Sequence, residues 1–212
     1  MKNLRSHVLT AAVFLSLAAS AVAQVANPGF ENPITFDGPP FVGSWEGFSG
    51  GAGSSAGNSA LLPRTGLQSL GLSISTTPNT FAGAFQDIPS LLSGTEYNFG
   101  GWHATTSSPL NVGVEIRIEW RDSVGNTEIS RTPNLTPIPG ASYSPFSLTA
   151  AVPVGADTAR LVYAIQSFST NPLGDGTVYI DDISFSAVPE PSSLILLGAG
   201  GLALVTMRRR RA

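Results

Sequence analysis

Histidine is the side chain that changes charge near neutral pH, and the chain has only two, His7 and His103. It has no cysteine, and its one lysine is Lys2, so the body of the chain offers neither a thiolate nucleophile nor an amine base. His103 follows Trp102, with Ser107 and Ser108 close behind. No serine sits in the G-x-S-x-G turn that would expose it as a nucleophile, and His103 reads as a surface or loop residue. Thirteen Asp and Glu between residues 24 and 186 allow many carboxylate pairs for glycoside hydrolysis, yet their spacing singles out no two of them. Catalysis is therefore poorly supported.

Binding chemistry is better supplied. A sugar ring stacks its C–H face on an exposed aromatic plane, with amide, hydroxyl or guanidinium groups at its edge. Around Trp102, Tyr97 and Phe99 share one parity while Asn98, Gly100 and Trp102 share the other, and Asn98 marks the second face as the wetter one. Trp102 is the first stacking residue expected and Trp45, in a Gly-rich stretch, the second. Asn98 and Arg117 are the polar contacts expected beside them. Calcium chemistry is suggested by Glu31 near the start and Asp181-Asp182 near the end, because a fold that brings its terminal strands together gathers hard oxygen ligands. Val178 and Ile180 share parity with Asp182, whereas Ile183 and Phe185 have the opposite parity. The phase switch at the acid pair predicts a β-bulge that re-aims a carboxylate.

The elements that must position these residues are strands. From Gln24 to Ser186 helical periodicity is hard to find, and short alternating runs separated by Gly, Pro, Asn and Ser recur. The clearest is Val112 to Trp120, where every second residue is apolar and Trp120 falls on the buried side. Further strands are expected at 68–75, 81–88, 95–102, 127–132, 143–150, 158–165 and 176–185. Eight strands with no crossover helix predict an all-β, two-sheet antiparallel sandwich of jelly-roll type. Gly50 to Ser59 (GGAGSSAGNS) reads as a flexible loop. No internal repeat is present.

Both ends read as addresses. Lys2 and Arg5, the apolar stretch Val8 to Ala19 and Ala21-Val22-Ala23 form a signal peptide over 1–23, to be cut by signal peptidase. At the other end Val188-Pro189-Glu190-Pro191 precedes the apolar stretch 194–207, expected as a short transmembrane helix, and Arg208, Arg209, Arg210 and Arg211 follow as a cytoplasmic stop. Five arginines against thirteen acids give residues 24–186 a net charge of -8, which excludes nucleic acid as a natural partner. Residues 187–212 resemble the PEP-CTERM sorting segment of Gram-negative bacteria. That resemblance implies an exosortase-type protease as partner, and export to the cell surface or extracellular matrix.

The passenger, residues 24–186, resembles jelly-roll carbohydrate-binding modules and their galactose-binding-like relatives. The resemblance rests on Asn27-Pro28-Gly29-Phe30-Glu31, Trp45, Gly66-Leu67-Gln68-Ser69-Leu70, Phe85-Gln86-Asp87-Ile88, Gly94 to Phe99 and Tyr179 to Ser184. It implies a structural calcium held by the Glu31 and Asp181 side chains, with the Gly29 carbonyl as a further ligand and Asp182 as the alternate. The expected function is a surface-sorted, non-catalytic module for exopolysaccharide. Two other classes stay open, a structural matrix or biofilm protein without a small ligand and a secreted hydrolase.

Overall fold

The structure, a computed structural model, describes residues 24–39, 41, 44–75, 79–168 and 174–189. Ten strands account for its regular structure: β1 (Glu46–Gly50), β2 (Ser54–Ser59), β3 (Ser69–Ile74), β4 (Phe81–Ile88), β5 (Glu96–Thr105), β6 (Gly113–Arg121), β7 (Glu128–Arg131), β8 (Ser144–Ala151), β9 (Thr158–Gln166) and β10 (Gly176–Ala187). They form two antiparallel five-stranded sheets, ordered β1-β4-β9-β6-β7 and β2-β3-β10-β5-β8. Only β2-β3 and β6-β7 are hairpins within one sheet. Elsewhere the chain passes from one sheet to the other, as in a jelly-roll sandwich.

Alternation sets the core. In β6, Val114, Ile116, Ile118 and Trp120 are all buried, while Glu115, Arg117 and Arg121 point away from the core and are half-buried. The inner faces of β9, β3 and β10 meet them with Leu161, Tyr163, Ile165, Leu70, Leu72, Val178 and Ile180. Each fully buried Leu or Ile contributes about 1.5–3 kcal/mol relative to exposure, so this shared layer is the main source of cohesion between the sheets. No helix among the described residues is long and apolar enough to cross a membrane. The signal peptide, the helix expected over 194–207 and Arg208 to Arg211 lie outside the described residues.

Two strands went unforeseen. The stretch expected as a flexible loop supplies the end of β1 and all of β2, whose six residues pair in register with β3 from Ser54↔Ile74 to Ser59↔Ser69. Its small residues are compatible with an edge strand because pairing needs only backbone, and little side-chain area is buried there. The parity switch in β10 is a β-bulge. Asp181 pairs with Trp102 and Ser184 with Gly100, so two residues, Asp182 and Ile183, face the single Gly101, and Asp182 takes a left-handed φ of 49°, a conformation an Asp tolerates.

Candidate functional site

The expected site residues divide between opposite sides of the sandwich. Trp102 and Asn98 face outward on the β2-to-β8 sheet, whereas Arg117 faces outward on the β1-to-β7 sheet. The structure does not bring them together, because their strands lie in different layers. Asn98 donates to Ser147 Oγ and Thr149 Oγ1 at 2.6 and 2.8 Å. Trp102 is half-buried, and the Arg64 guanidinium lies over its ring. Trp45, expected as an exposed ring, is 1% exposed; its ring packs on Phe30 at 5.1 Å and its indole N–H donates to the Asn27 carbonyl. A Trp with both its ring and its N–H satisfied is a core residue.

His103 also departs from expectation, since it points inward. Its Nδ1 hydrogen-bonds Tyr163 Oη at 2.7 Å, it packs against Phe146, and burial pushes its pKa down to about 4. A neutral, enclosed imidazole at pH 7 is structural.

The acids expected to hold calcium do converge, on residues 64–68. Asp181, fully buried on the outer side of β10, accepts the N–H groups of Arg64 and Thr65 on Oδ2 and of Asp182 on Oδ1. Asp182 accepts from Thr65 Oγ1 and pairs with the Arg64 guanidinium. Glu31 accepts the N–H groups of Leu67 and Gln68. Gly66 has a φ of 61°, and a Cβ there would stand 2.0 Å from Glu31 Oε1, so only glycine suits that approach. Gly29 lies beside Asp181, and Ile183 N–H donates to the neighbouring Pro28 carbonyl. Tyr143, its phenol pushed up to about 12 chiefly by burial, donates to the Leu62 carbonyl and holds the same segment.

This corner therefore clamps 59–68 onto the sheet with N–H and O–H donors on every one of the six carboxylate oxygens. As placed it does not fit a calcium cage, and the described residues contain no group of three or more acids or histidines able to hold a metal ion. Burial raises the Asp181 pKa despite those donors.

The more open chemistry lies on the outer face of the β1-to-β7 sheet. Ala82 and Ala84 point into the core, so their alternates Phe81 and Phe85 point out. Phe41, Phe85, Phe48, Phe81 and Phe168 form a continuous row, with successive ring centres 4.9, 6.1, 6.1 and 6.0 Å apart. Gly83 lets Phe48 lie down, because a Cβ there would meet that ring at 2.4 Å. Phe168 is 55% exposed and Phe81 36%.

Arg160 caps one end of the row, its guanidinium 4.1 Å from the Phe85 ring centre and 5.0 Å from that of Phe41. Asp87 holds it in a two-pronged pair at 2.7 and 2.8 Å, the geometry that fixes a guanidinium plane. On the far side of β9, Arg117 and Arg121 flank Glu119 at 2.8 and 3.3 Å. A cavity of about 240 Å³ opens where the row ends, between Phe41, Asp87, Pro89, Asp122 and Asn126. A larger one, about 380 Å³, lies at the other end beside Leu110, Val112 and Ile138 and has no charged wall.

Of this face the sequence reading found only Arg117. The signal for the rest was the order Phe-Ala-Gly-Ala-Phe in β4, where the larger residues must take one side and the small ones the other. Large residues outside and alanines inside is the inverse of a core pattern.

Fold and tail together define the class of the protein, an exported β-sandwich with a C-terminal sorting signal. Residues 187–211 match the model of the PEP-CTERM protein-sorting motif. The signal indicates export and a surface location, with a C-terminal membrane anchor before processing. No curated protein matches the chain by sequence.

Among solved structures, the enzymatically active domain of tailspike protein 4 from bacteriophage CBA120 matches with a TM-score of 0.59 and 17% identity, over 77% of this chain and 21% of that one. The chain thus spans about a fifth of the length of that domain. A family 4 carbohydrate-binding module matches with a TM-score of 0.52 and 16% identity, over 78% of this chain and all of that one. A xylan-binding family 22 module from Paenibacillus barcinonensis gives 0.49 and 12% identity, over 76% and 95%. The likeness is one of fold, a carbohydrate-binding-module sandwich.

Proposed function

We propose that the protein is a non-catalytic, exported glycan-binding module, and that its ligand lies along the phenylalanine row of the β1-to-β7 sheet. The observation that carries this reading is the outward row itself, bordered by Arg160–Asp87 at one end and Arg117–Glu119 across β9. Phe81 and Phe168 supply open rings for the C–H face of a sugar, and the paired arginines supply fixed donors for hydroxyl groups. Trp102 and Asn98 stay outside this site.

The absence of catalysis is supported by the state of the acids and the histidine. Asp87 and Glu119 are tied to arginines, and His103 is enclosed. In the acid corner we propose that direct N–H and guanidinium contacts do what the expected calcium would have done, closing 59–68 over the sheet. The natural partners are signal peptidase, an exosortase-type protease that recognises 188–191, and an extracellular polysaccharide.

A glycan-array screen of residues 24–189, which hold all ten strands, tests the reading. The parent should retain at least one polysaccharide class, and Phe81→Ala should fold and lose most of that retention. A folded parent that binds no glycan would leave the structural matrix role in its place.

A further inference from the structure

The last strand leads straight into the sorting motif. β10 pairs with β5 as far as Ala187↔Tyr97, and the next residue, Val188, donates its N–H to the Glu96 carbonyl at 2.8 Å. No linker separates sheet and motif. From Val188 to Leu194, where the apolar stretch begins, the chain can span at most about 20 Å. Whichever end of the sandwich β10 leaves is therefore held close to the membrane while the anchor is in place.

Strand register identifies that end. The end of β10 lies beside the start of β5 and hence the end of β8. Similarly, the start of β9 lies beside the ends of β4 and β6. The loops 89–95, 122–127 and 152–157 thus emerge together. They are also bonded to one another: Leu91 N–H donates to the Asp157 carbonyl, Gly94 N–H to the Val152 carbonyl, and Ser123 to the Asp157 carboxylate. Each loop carries one exposed apolar side chain, Leu92 at 68%, Val124 at 98% and Val154 at 89% exposure.

Single exposed apolar residues are ordinary on a protein surface. These three differ in sitting on bonded loops around the point where the chain leaves for the membrane. The acids among them are engaged within this loop cluster. Asp122 accepts the N–H groups of Val124 and Gly125, and Asp157 accepts from Ser123 and Thr158.

We propose that, until the sorting segment is processed, this end rests on the phospholipid surface that holds residues 194–207, with Leu92, Val124 and Val154 entering the head-group layer. Apolar side chains presented on a rigid base bind a membrane interface weakly and reversibly. The anchor supplies the proximity that makes weak contacts count. Cleavage after the sandwich removes that proximity and releases the surface.

The cysteine-free chain permits a direct test. Full-length variants Leu92→Cys, Val124→Cys, Val154→Cys and Ile138→Cys are labelled with an environment-sensitive fluorophore. They are then inserted through their own C-terminal segment into phosphatidylethanolamine–phosphatidylglycerol vesicles with nitroxides near the head groups. Ile138, 86% exposed, lies toward the opposite end and serves as the reference. Labels at 92, 124 and 154 should be quenched several-fold more than the label at 138. Equal quenching at all four, quenching at none, or quenching at a single tip overturns the proposal. Glycan retention by the same variants is unaffected by either result, so the outcome is independent of the sugar-binding reading.

Discussion

The Arg64 guanidinium carbon sits 3.8 Å from the centre of the Trp102 ring, and the same guanidinium pairs with Asp182. One arginine thus closes an aromatic face and balances part of an acidic corner. A ring covered in this way cannot also receive a sugar on that face, which separates the role of Trp102 from that of the phenylalanine row.

Trp102→Ala should therefore leave glycan retention unchanged and cost about 1–2 kcal/mol, the range of a partly desolvated cation–π contact. Trp120→Ala, which empties a core position, should cost about 3–5 kcal/mol. Urea titration of both variants beside the parent reads the difference. Equal costs would mean that Trp102 is as much a core residue as Trp120.

Asp87→Ala should free Arg160 from its fixed plane over Phe85 and Phe41. Removing one member of a largely buried pair typically costs about 3 kcal/mol, and retention of any glycan bound by the parent should fall as well. Asp87→Asn keeps the shape with a weaker pairing and should fall between the two. Stability and retention that both match the parent would dissociate the pair from the site.

The acid corner leads to a calcium experiment with a definite expectation. Since Glu31, Asp181 and Asp182 already accept from N–H and O–H donors, melting of residues 24–189 should be the same in calcium and in chelator. Saturation of a native-only site at about 100 times its dissociation constant would instead add roughly 2.7 kcal/mol. A melting point that rises with calcium would show that the ion displaces those donors.

His103 sets a dependence on pH. Its pKa is lowered to about 4 in the folded protein, below the ordinary value near 6.5. Between these values the unfolded chain binds the proton and the folded one does not, so stability is full above pH 6.5 and is lost as pH falls toward 4. The loss amounts to roughly 3 kcal/mol. His103→Gln should flatten the slope of unfolding free energy against pH across this window, whatever its effect at pH 7. An unchanged slope would place the titration elsewhere.

Much of this architecture was legible from side-chain parity. The alternation from Val112 to Trp120 gave β6 and its inner face, and the phase switch at Asp181-Asp182 gave the bulge in β10. What escaped was information that parity does not carry. β2 is made of Ser, Ala, Gly and Asn, whose pairing depends on the backbone of β3 rather than on buried side chains. Trp45 is buried because Phe30 and the Asn27 carbonyl, fifteen or more residues away in sequence, close over it. The convergence of Glu31 with Asp181-Asp182 was legible from the resemblance, but the donors that occupy their oxygens, all but one of them from residues 64–68, follow only from the fold. Arg117 and Trp102 looked like neighbours in function because sequence alone does not say which sheet a strand joins.

The placement of β10 has a mechanical consequence. While the anchor holds, a pull on the tethered domain enters through Val188 and runs first along the half of β10 paired with β5, Ser184 to Ala187, and then along the half that β3 pairs as well, Gly176 to Ile180. The ladder bonds lie across the direction of pull, so they resist in shear, many at once, instead of opening one after another as at an edge strand. A hairpin at the margin, such as β6-β7, would peel under the same force. By ending on an inner strand, the chain gives its surface attachment a grip in which the ladder to β5 bears the load first and the ladder to β3 backs it further along.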